Sequence, residues 1–333
     1  MTDITTLINQ FEYDVVALGE LLVDFTMNGN SEQGNPLFEA NPGGAPCNVL
    51  SMLQNLGKHT AFIGKVGNDS FGEMLRNVVA EIGIDISSLI IDDEVPTTLA
   101  FVHTASDGDR SFSFYRNPGA DMMLTEADVE TSKKLIQSCR IFHFGTLSMT
   151  DERCEKATKR AIDLAGEANA VISFDPNLRP PLWDNLDVAK EKIAYGISKC
   201  HILKISDDEI AFFTGKSDID GGVARLQEQY HIPLICVTMG NRGSKAYYSN
   251  STVECPSFLN KATIETTGAG DTFMACVLYS ILKYGLDGLD RQKLYDMLEF
   301  ANAAASIITT RKGALKVMPE ERDVWGFIQE RKR

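Results

Sequence analysis

The sequence predicts an α/β protein in three layers, α/β/α, with a mostly parallel central sheet and a small second β-sheet beside it. Three observations carry this. Short apolar runs alternate with amphipathic stretches of helical period along most of the chain. The runs are nearly continuous in their hydrophobicity, as strands covered on both faces must be. Two segments, 24–40 and 96–116, break the alternation.

The strand candidates are "DVVALGELLVDF" (14–25), "TAFIGKV" (60–66), "RIFHFG" (140–145), "AVISFD" (170–175), "HILKIS" (201–206) and "PLICVTMG" (233–240). Amphipathic stretches at 45–57, 69–83, 125–138, 151–169, 187–199, 207–214 and 218–230 lie between them. The segment 24–40 is polar and turn-rich, whereas 96–116 reads as two strands around the turn "SDGD". Ser111, Phe112, Ser113 and Phe114 alternate as in a strand with one covered face. Together the two segments make a lid sheet on a single domain spanning 1–333, since no linker or 20–50-residue repeat divides the chain.

Composition narrows the function. The chain has 333 residues, 44% hydrophobic and 23% charged, enough for a large core. A net charge of −14 argues against nucleic acid or an anionic membrane as partner. The seven cysteines show no C-x-x-C spacing and read as small, reduced, buried hydrophobes. The opening "MTDITTLINQFEYD" lacks a basic and an apolar region, so no signal peptide is expected, and no apolar stretch has the length of a membrane span. A cytoplasmic protein is expected.

"TIETTGAGDTFMACVLYSILKYG" (263–285) carries the chemistry. Gly268 and Gly270 open a helix whose unpaired amides and partial positive charge suit a phosphate or a developing anion. Asp271 has two readings there: a helix cap, or a base that takes a proton from an attacking hydroxyl beside the anion site. Two motifs are ruled out. "GAGDTF" has Phe273 in place of the third glycine of a dinucleotide fingerprint, and "TGKSD" has Ile210 in place of the first glycine of a P-loop.

A second glycine turn, Gly43 and Gly44 in "NPGGAPCNVLSMLQNLG", brings backbone close to a small ligand, with Asn48 one helical turn on. Asp24 at a strand end is suited to accept vicinal hydroxyls of a sugar. Asp175, Asn177 and Arg179 end another strand, where an arginine is a natural phosphate partner. Arg116 ends the lid hairpin and can reach the same ligand. Each of these also reads as a solvated loop residue when taken alone.

"PGGAPCNVLSMLQNLGKHTAFIGKVGNDSFG" and "ETTGAGDTF" together resemble the two signature regions of the ribokinase-like (PfkB) carbohydrate kinases, over about residues 14–320. "FSFYRNPGADMML", "FDPNLRPPLW" and "KISDDEIAFFTG" look like the fructokinase branch. The resemblance implies a ribokinase-like fold and transfer of the ATP γ-phosphoryl to the 6-hydroxyl of D-fructose. Asp271 is then the base, and the amides of Ala269, Gly270 and Asp271 form the anion hole. The sugar lies among Asp24, Gly43, Gly44, Asn48 and Arg116. Asn177, Arg179, Lys204, Thr238, Gly240, Gly243, Gly268, Gly270 and Asn302 surround the nucleotide. Glu209 organises Mg²⁺ through water, and Glu265, Thr267 and Gly313 match a region that binds a monovalent cation such as K⁺ through carbonyls. Two departures from the family pattern stand out: Glu265 where many members have Asp, and Ser206 where an Asn is common. A homodimer through the lid fits the alternating "RSFSFY" strand. The alternatives are a 2-keto-3-deoxygluconate kinase, for which Arg116 would meet the substrate carboxylate, and a non-catalytic sugar sensor.

Overall fold

The computed structural model describes residues 11–104 and 110–332. The chain begins with β1 (Tyr13–Leu18), β2 (Leu22–Asn30) and β3 (Pro36–Gly43), then α1 (Ala45–Asn55), β4 (Thr60–Gly67), α2 (Ser70–Ile82) and β5 (Asp85–Asp92). It continues through β6 (Leu99–Thr104), β7 (Arg110–Tyr115), α3 (Glu126–Thr131), α4 (Lys133–Gln137), β8 (Cys139–Gly145), α5 (Glu152–Glu167) and β9 (Val171–Asp175). Then come α6 (Leu186–Lys199), β10 (Ile202–Ser206), α7 (Asp207–Thr214), α8 (Ile219–Gln229), β11 (Leu234–Thr238), β12 (Ser244–Tyr248) and β13 (Ser251–Cys255). The chain closes with α9 (Ala269–Tyr284), α10 (Arg291–Ile308) and α11 (Glu321–Arg331).

The main sheet has nine strands in the order β13-β12-β11-β10-β9-β8-β1-β4-β5. All neighbours are parallel except β11–β12 and β12–β13. Val15 and Ala17 of β1 face one core and Val16 and Leu18 the other, the two-residue period of a strand buried on both sides. The first core packs α1, α2, α9, α10 and α11; the second packs α3 to α8. From β1 the chain winds outward to β5 on one side and to β11 on the other. Their divergence leaves a crevice at the carboxyl ends of β1, β8, β9 and β10.

The expected strand 14–25 is in fact two. The chain leaves the main sheet at Gly19, Glu20 and Leu21 and enters a four-stranded sheet, β3-β2-β6-β7. The segment 24–40, read as polar and turn-rich, supplies most of β2 and β3, which pair antiparallel. Its polar residues fit a sheet edge open to water on at least one face. The "SDGD" turn lies outside the described residues, while its flanking strands β6 and β7 pair antiparallel as expected. The stretch 125–138 forms two short helices broken at Ser132 rather than one. The apolar-run pattern does not mark strands β5, β12 and β13. Their alternating polar residues mark them as outer strands, at or next to a sheet edge, and not as buried apolar runs.

Local chemistry sets the helix ends around the crevice. Asp69 caps α2 by accepting from the Phe71 and Gly72 amides. Ser206 and Glu209 form a capping box at the head of α7. Gly268, at φ 76°, heads α9 with no side-chain cap, so its first-turn amides stay available.

Candidate active site

A cavity of about 700 Å³ opens at the carboxyl ends of the strands. Leu22, Asp24, Gly44 and Asn48 line one side; Asn177, Arg179, Lys204 and Glu209 the other; and Thr267, Gly268, Gly270 and Asp271 form the floor between them. Eleven residues singled out in the sequence therefore meet here from five separate stretches: Asp24, Gly44, Asn48, Asn177, Arg179, Lys204, Glu209, Thr267, Gly268, Gly270 and Asp271.

Asp271 does not cap α9, because the cap position is Gly268 and no side chain bonds the first amides. Its carboxylate points across the cavity and accepts from Asn48 Nδ2 at 2.8 Å. Burial pushes its pKa up to about 6, against the opposing pull of the Asn48 hydrogen bond. Asn48 is itself buried, and its Oδ1 has no hydrogen-bond partner among the described residues. A buried carbonyl oxygen without a donor is costly, and a ligand hydroxyl in the cavity would satisfy it.

Of the three amides expected to form an anion hole, one already has a partner in this structure. The Ala269 amide donates to Thr266 O at 3.2 Å, which closes the turn entering the helix. Gly270 and Asp271 follow in the first turn of α9, where no intrahelical carbonyl reaches them. A Cβ on Gly270 would stand 3.1 Å from Lys204 Nζ, so the glycine keeps the ammonium close to those amides. Burial would lower the pKa of Lys204, but Asp175, at 2.8 Å, and Glu209 hold it above its ordinary value. The lysine is thus a fixed cation in the cavity wall beside those amides.

Asp24 lines the opposite wall. Burial raises its pKa to about 7, Arg179 pulls it down, and Glu265 and Asp271 raise it. Gly43 does not line the cavity; a Cβ there would come within 2.5 Å of Asp24 Oδ2, so the glycine makes room for the carboxylate. Gly44 adopts φ 130°, where a Cβ would meet Glu20 O at 2.3 Å.

Other expected positions stand outside the cavity lining, or, like Glu209, line it with their polar atoms already engaged. Arg116 is buried and does not line the cavity: its guanidinium pairs with Asp121 at 2.7 Å and donates to Thr150 Oγ1 and Leu147 O. Asn302 is spent as a brace, with Oδ1 accepting from Ser244 Oγ and Nδ2 donating to Cys255 O and Pro256 O. It ties α10 to the β12–β13 edge. Both carboxylate oxygens of Glu209 are engaged, by the amides of Ser206 and Leu178 at 2.8 Å each. The sequence marked the capping-box spacing only as a departure at Ser206. Glu265 accepts from the Gly313 amide at 2.8 Å, which joins the 265–267 and 309–313 turns. Thr238, Gly240 and Gly243 lie at the β11–β12 turn, outside the cavity lining; Gly243, at φ 105°, lets the turn pass 2.2 Å from Cys255 O at its would-be Cβ.

The sequence reading missed Glu20, which lines the cavity and whose pKa burial raises to about 7. A buried glutamate inside an apolar run was the available signal. Phe114 and Leu147 complete the wall on the side of the small sheet.

The family described as pfkB family carbohydrate kinase matches residues 13–321. The chain belongs to this family. Among its relatives, fructokinase-1 of Zea mays is 40% identical over 318 residues, which cover 95% of this chain and 98% of the relative. The crystal structure of a fructokinase with bound ATP from Xylella fastidiosa superposes with a TM-score of 0.86 at 30% identity, over 96% of this chain and 99% of that one. A double mutant of the Vibrio cholerae O395 fructokinase, in its fructose, ADP and potassium ion bound form, gives 0.83 at 27% identity over 95% and 98% of the two chains. The kinase therefore has the ribokinase-like three-layer fold. The seven cysteines are all buried and unpaired. Among the described residues no helix is long and apolar enough to cross a membrane.

Proposed function

We propose that this carbohydrate kinase transfers the γ-phosphoryl group of ATP to the 6-hydroxyl of D-fructose, with Asp271 as general base. The observation that carries the reading is the position of Asp271: a carboxylate of raised pKa beside two first-turn amides and a fixed lysine, held by Asn48. The hydroxyl oxygen bonds to the γ-phosphorus as the bond to the β-phosphate oxygen breaks, and the hydroxyl proton passes to Asp271. The Gly270 and Asp271 amides and Lys204 hold the transferring group, while Arg179 and Asn177 face the remaining phosphates. Asp24 and the Asn48 carbonyl take sugar hydroxyls. Mg²⁺, when bound with the nucleotide, neutralises phosphate oxygens. Glu209 suits a role through water: it lines the cavity, and its two amide contacts leave lone pairs for a hydrated ion. The joined turns at Glu265, Thr267 and Gly313 form the monovalent-cation region, for K⁺.

The domain is single, with β2, β3, β6 and β7 as a lid that excludes water during transfer. Met27, Phe38, Phe101 and Tyr115 lie on the sheet face away from Asp24, with Met27 and Tyr115 57% and 66% exposed. This supports a homodimer formed by two lids. Light scattering on Tyr115→Glu is expected to give a monomer where the parent gives a dimer. The unpaired cysteines agree with a cytoplasmic location.

The keto-acid alternative loses its main support, because Arg116 is neutralised by Asp121 away from the cavity and the sugar wall carries Glu20 and Asp24. The test is ADP release from Mg²⁺–ATP with fructose, ribose, adenosine, 2-keto-3-deoxygluconate and glucose. Turnover confined to fructose is the expected result; preference for the keto-acid would reassign the sugar wall, and silence with sugar binding intact would favour a sensor.

A further inference from the structure

We infer that Glu20 is a sugar-binding residue that sets specificity, accepting a hydrogen bond from one hydroxyl of the sugar while it holds the glycine turn beside it. The inference rests on the sugar-kinase reading above. Glu20 sits where the chain crosses from the main sheet to the lid sheet, between β1 and β2, at the carboxyl edge that forms the site. It is 3% exposed, and a carboxyl group so enclosed is costly unless hydrogen-bonded. Its Oε1 accepts from the Ala45 amide at 2.8 Å, directly after Gly44. Its own backbone amide bonds to the carboxylate as well, and since a carboxyl group offers about four lone-pair sites over two oxygens, these two contacts leave part of its capacity unused.

Where that capacity is directed follows from the spaces Glu20 lines. One is a pocket of about 10 Å³ shared with His143, Asp175 and Asn177, with room for about one water. The other is the 700 Å³ cavity, where its neighbours are Asp24, Ala45 and Asn48. Arg116, the cation whose charge reaches Glu20, is committed to Asp121, Thr150 and Leu147. No hydrogen-bonded ion pair therefore saturates Glu20, and the group that can meet it is a donor entering the cavity. A neutral sugar presents such donors on several carbons. A site built to bond one hydroxyl strongly rejects the analogue that lacks it, because its buried acceptor is then left unpaired.

The experiment compares the parent and Glu20→Gln on fructose and on 1-deoxy-, 3-deoxy- and 4-deoxyfructose, with ADP release and melting temperature read for each protein. Glutamine keeps a carbonyl oxygen for the Ala45 amide. The parent is expected to use one deoxy analogue about 10- to 100-fold less efficiently than fructose. In Glu20→Gln the KM for fructose rises by a similar factor, the penalty on that one analogue disappears, and the KM for ATP stays within about twofold. Equal weakening toward all four sugars marks Glu20 as purely structural and overturns the inference, as does unchanged sugar use. If Glu20→Gln does not fold, the same four-sugar comparison on Glu20→Asp decides, since it keeps the charge and withdraws it by one methylene. A parent that turns over the keto-acid but not fructose is a distinct outcome: it overturns the fructose reading first, and the Glu20 assignment with it.

Discussion

Asn48 donates from Nδ2 to Asp271 Oδ2 at 2.8 Å, which joins the first turns of α1 and α9 across 223 residues of sequence. The bond aims the carboxylate into the cavity and stabilises its charged form, against the burial that disfavours it. The acidity and the position of the carboxylate thus depend on one amide.

A pH–rate profile tests this. A base must be ionised to act, so kcat/KM for the sugar is expected to fall tenfold per pH unit below a pKa near 6. Asn48→Leu removes the hydrogen bond that lowers the pKa of Asp271, so the acid limb should move to higher pH. An acid limb that stays in place in this variant would separate Asn48 from the titration.

Asp271→Asn should divide chemistry from stability. Turnover is expected to fall by about 10²–10⁴-fold while fructose still binds, because the amide keeps the shape and loses the base. Stability should move the other way. A carboxyl group with a raised folded-state pKa binds its proton more tightly folded than unfolded, so its contribution to stability declines as pH rises from about 4 through about 6. At pH 8 the variant should be more resistant to urea by on the order of 3 kcal/mol, with the gain vanishing at pH 4. Equal stability of the two proteins at both pH values would refute the buried-charge account.

Arg116→Met isolates an anchor from a ligand. Arg116 and Asp121 form a buried pair, and Asp121 also accepts from Thr98 Oγ1, at the entrance to β6. Removing the arginine strands a buried carboxylate, at a cost of about 3–5 kcal/mol in denaturant unfolding. Arg116→Met with Asp121→Asn should recover part of the loss. A large rise in the KM for fructose without loss of stability would restore Arg116 to the sugar.

Gly44→Ala places a Cβ 2.3 Å from Glu20 O at φ 130°. The turn must shift, and the strain is on the order of 1–3 kcal/mol. Sugar affinity should weaken much more than nucleotide affinity, measured by calorimetry for each ligand alone. Equal weakening of both would mean that the turn is no more coupled to the sugar side than to the rest of the cavity.

The sequence by itself determined the layers and the chemistry-bearing turns. Short apolar runs such as 60–66, alternating with amphipathic stretches, fit strands buried on both faces, and Gly268 and Gly270 before a long apolar helix mark an open amide cluster, because these are local consequences of side-chain type. It did not determine the break at Gly19, Glu20 and Leu21. Both halves of 14–25 are equally apolar, and only the competition between two sheets for the second half splits the run. Nor did it determine which polar side chains stay free. Arg116 and Asn302 share composition and neighbourhood with true cavity residues, yet Asp121 claims the first and the Cys255 and Pro256 carbonyls claim the second. Their partners lie on other elements, so only the packed chain could decide. Glu20 is the converse case: a lone acid in an apolar run, given its place in the cavity by a turn 25 residues away. Hydrophobic pattern is written locally, whereas the satisfaction of a buried polar group depends on whatever the fold brings to within 3 Å of it.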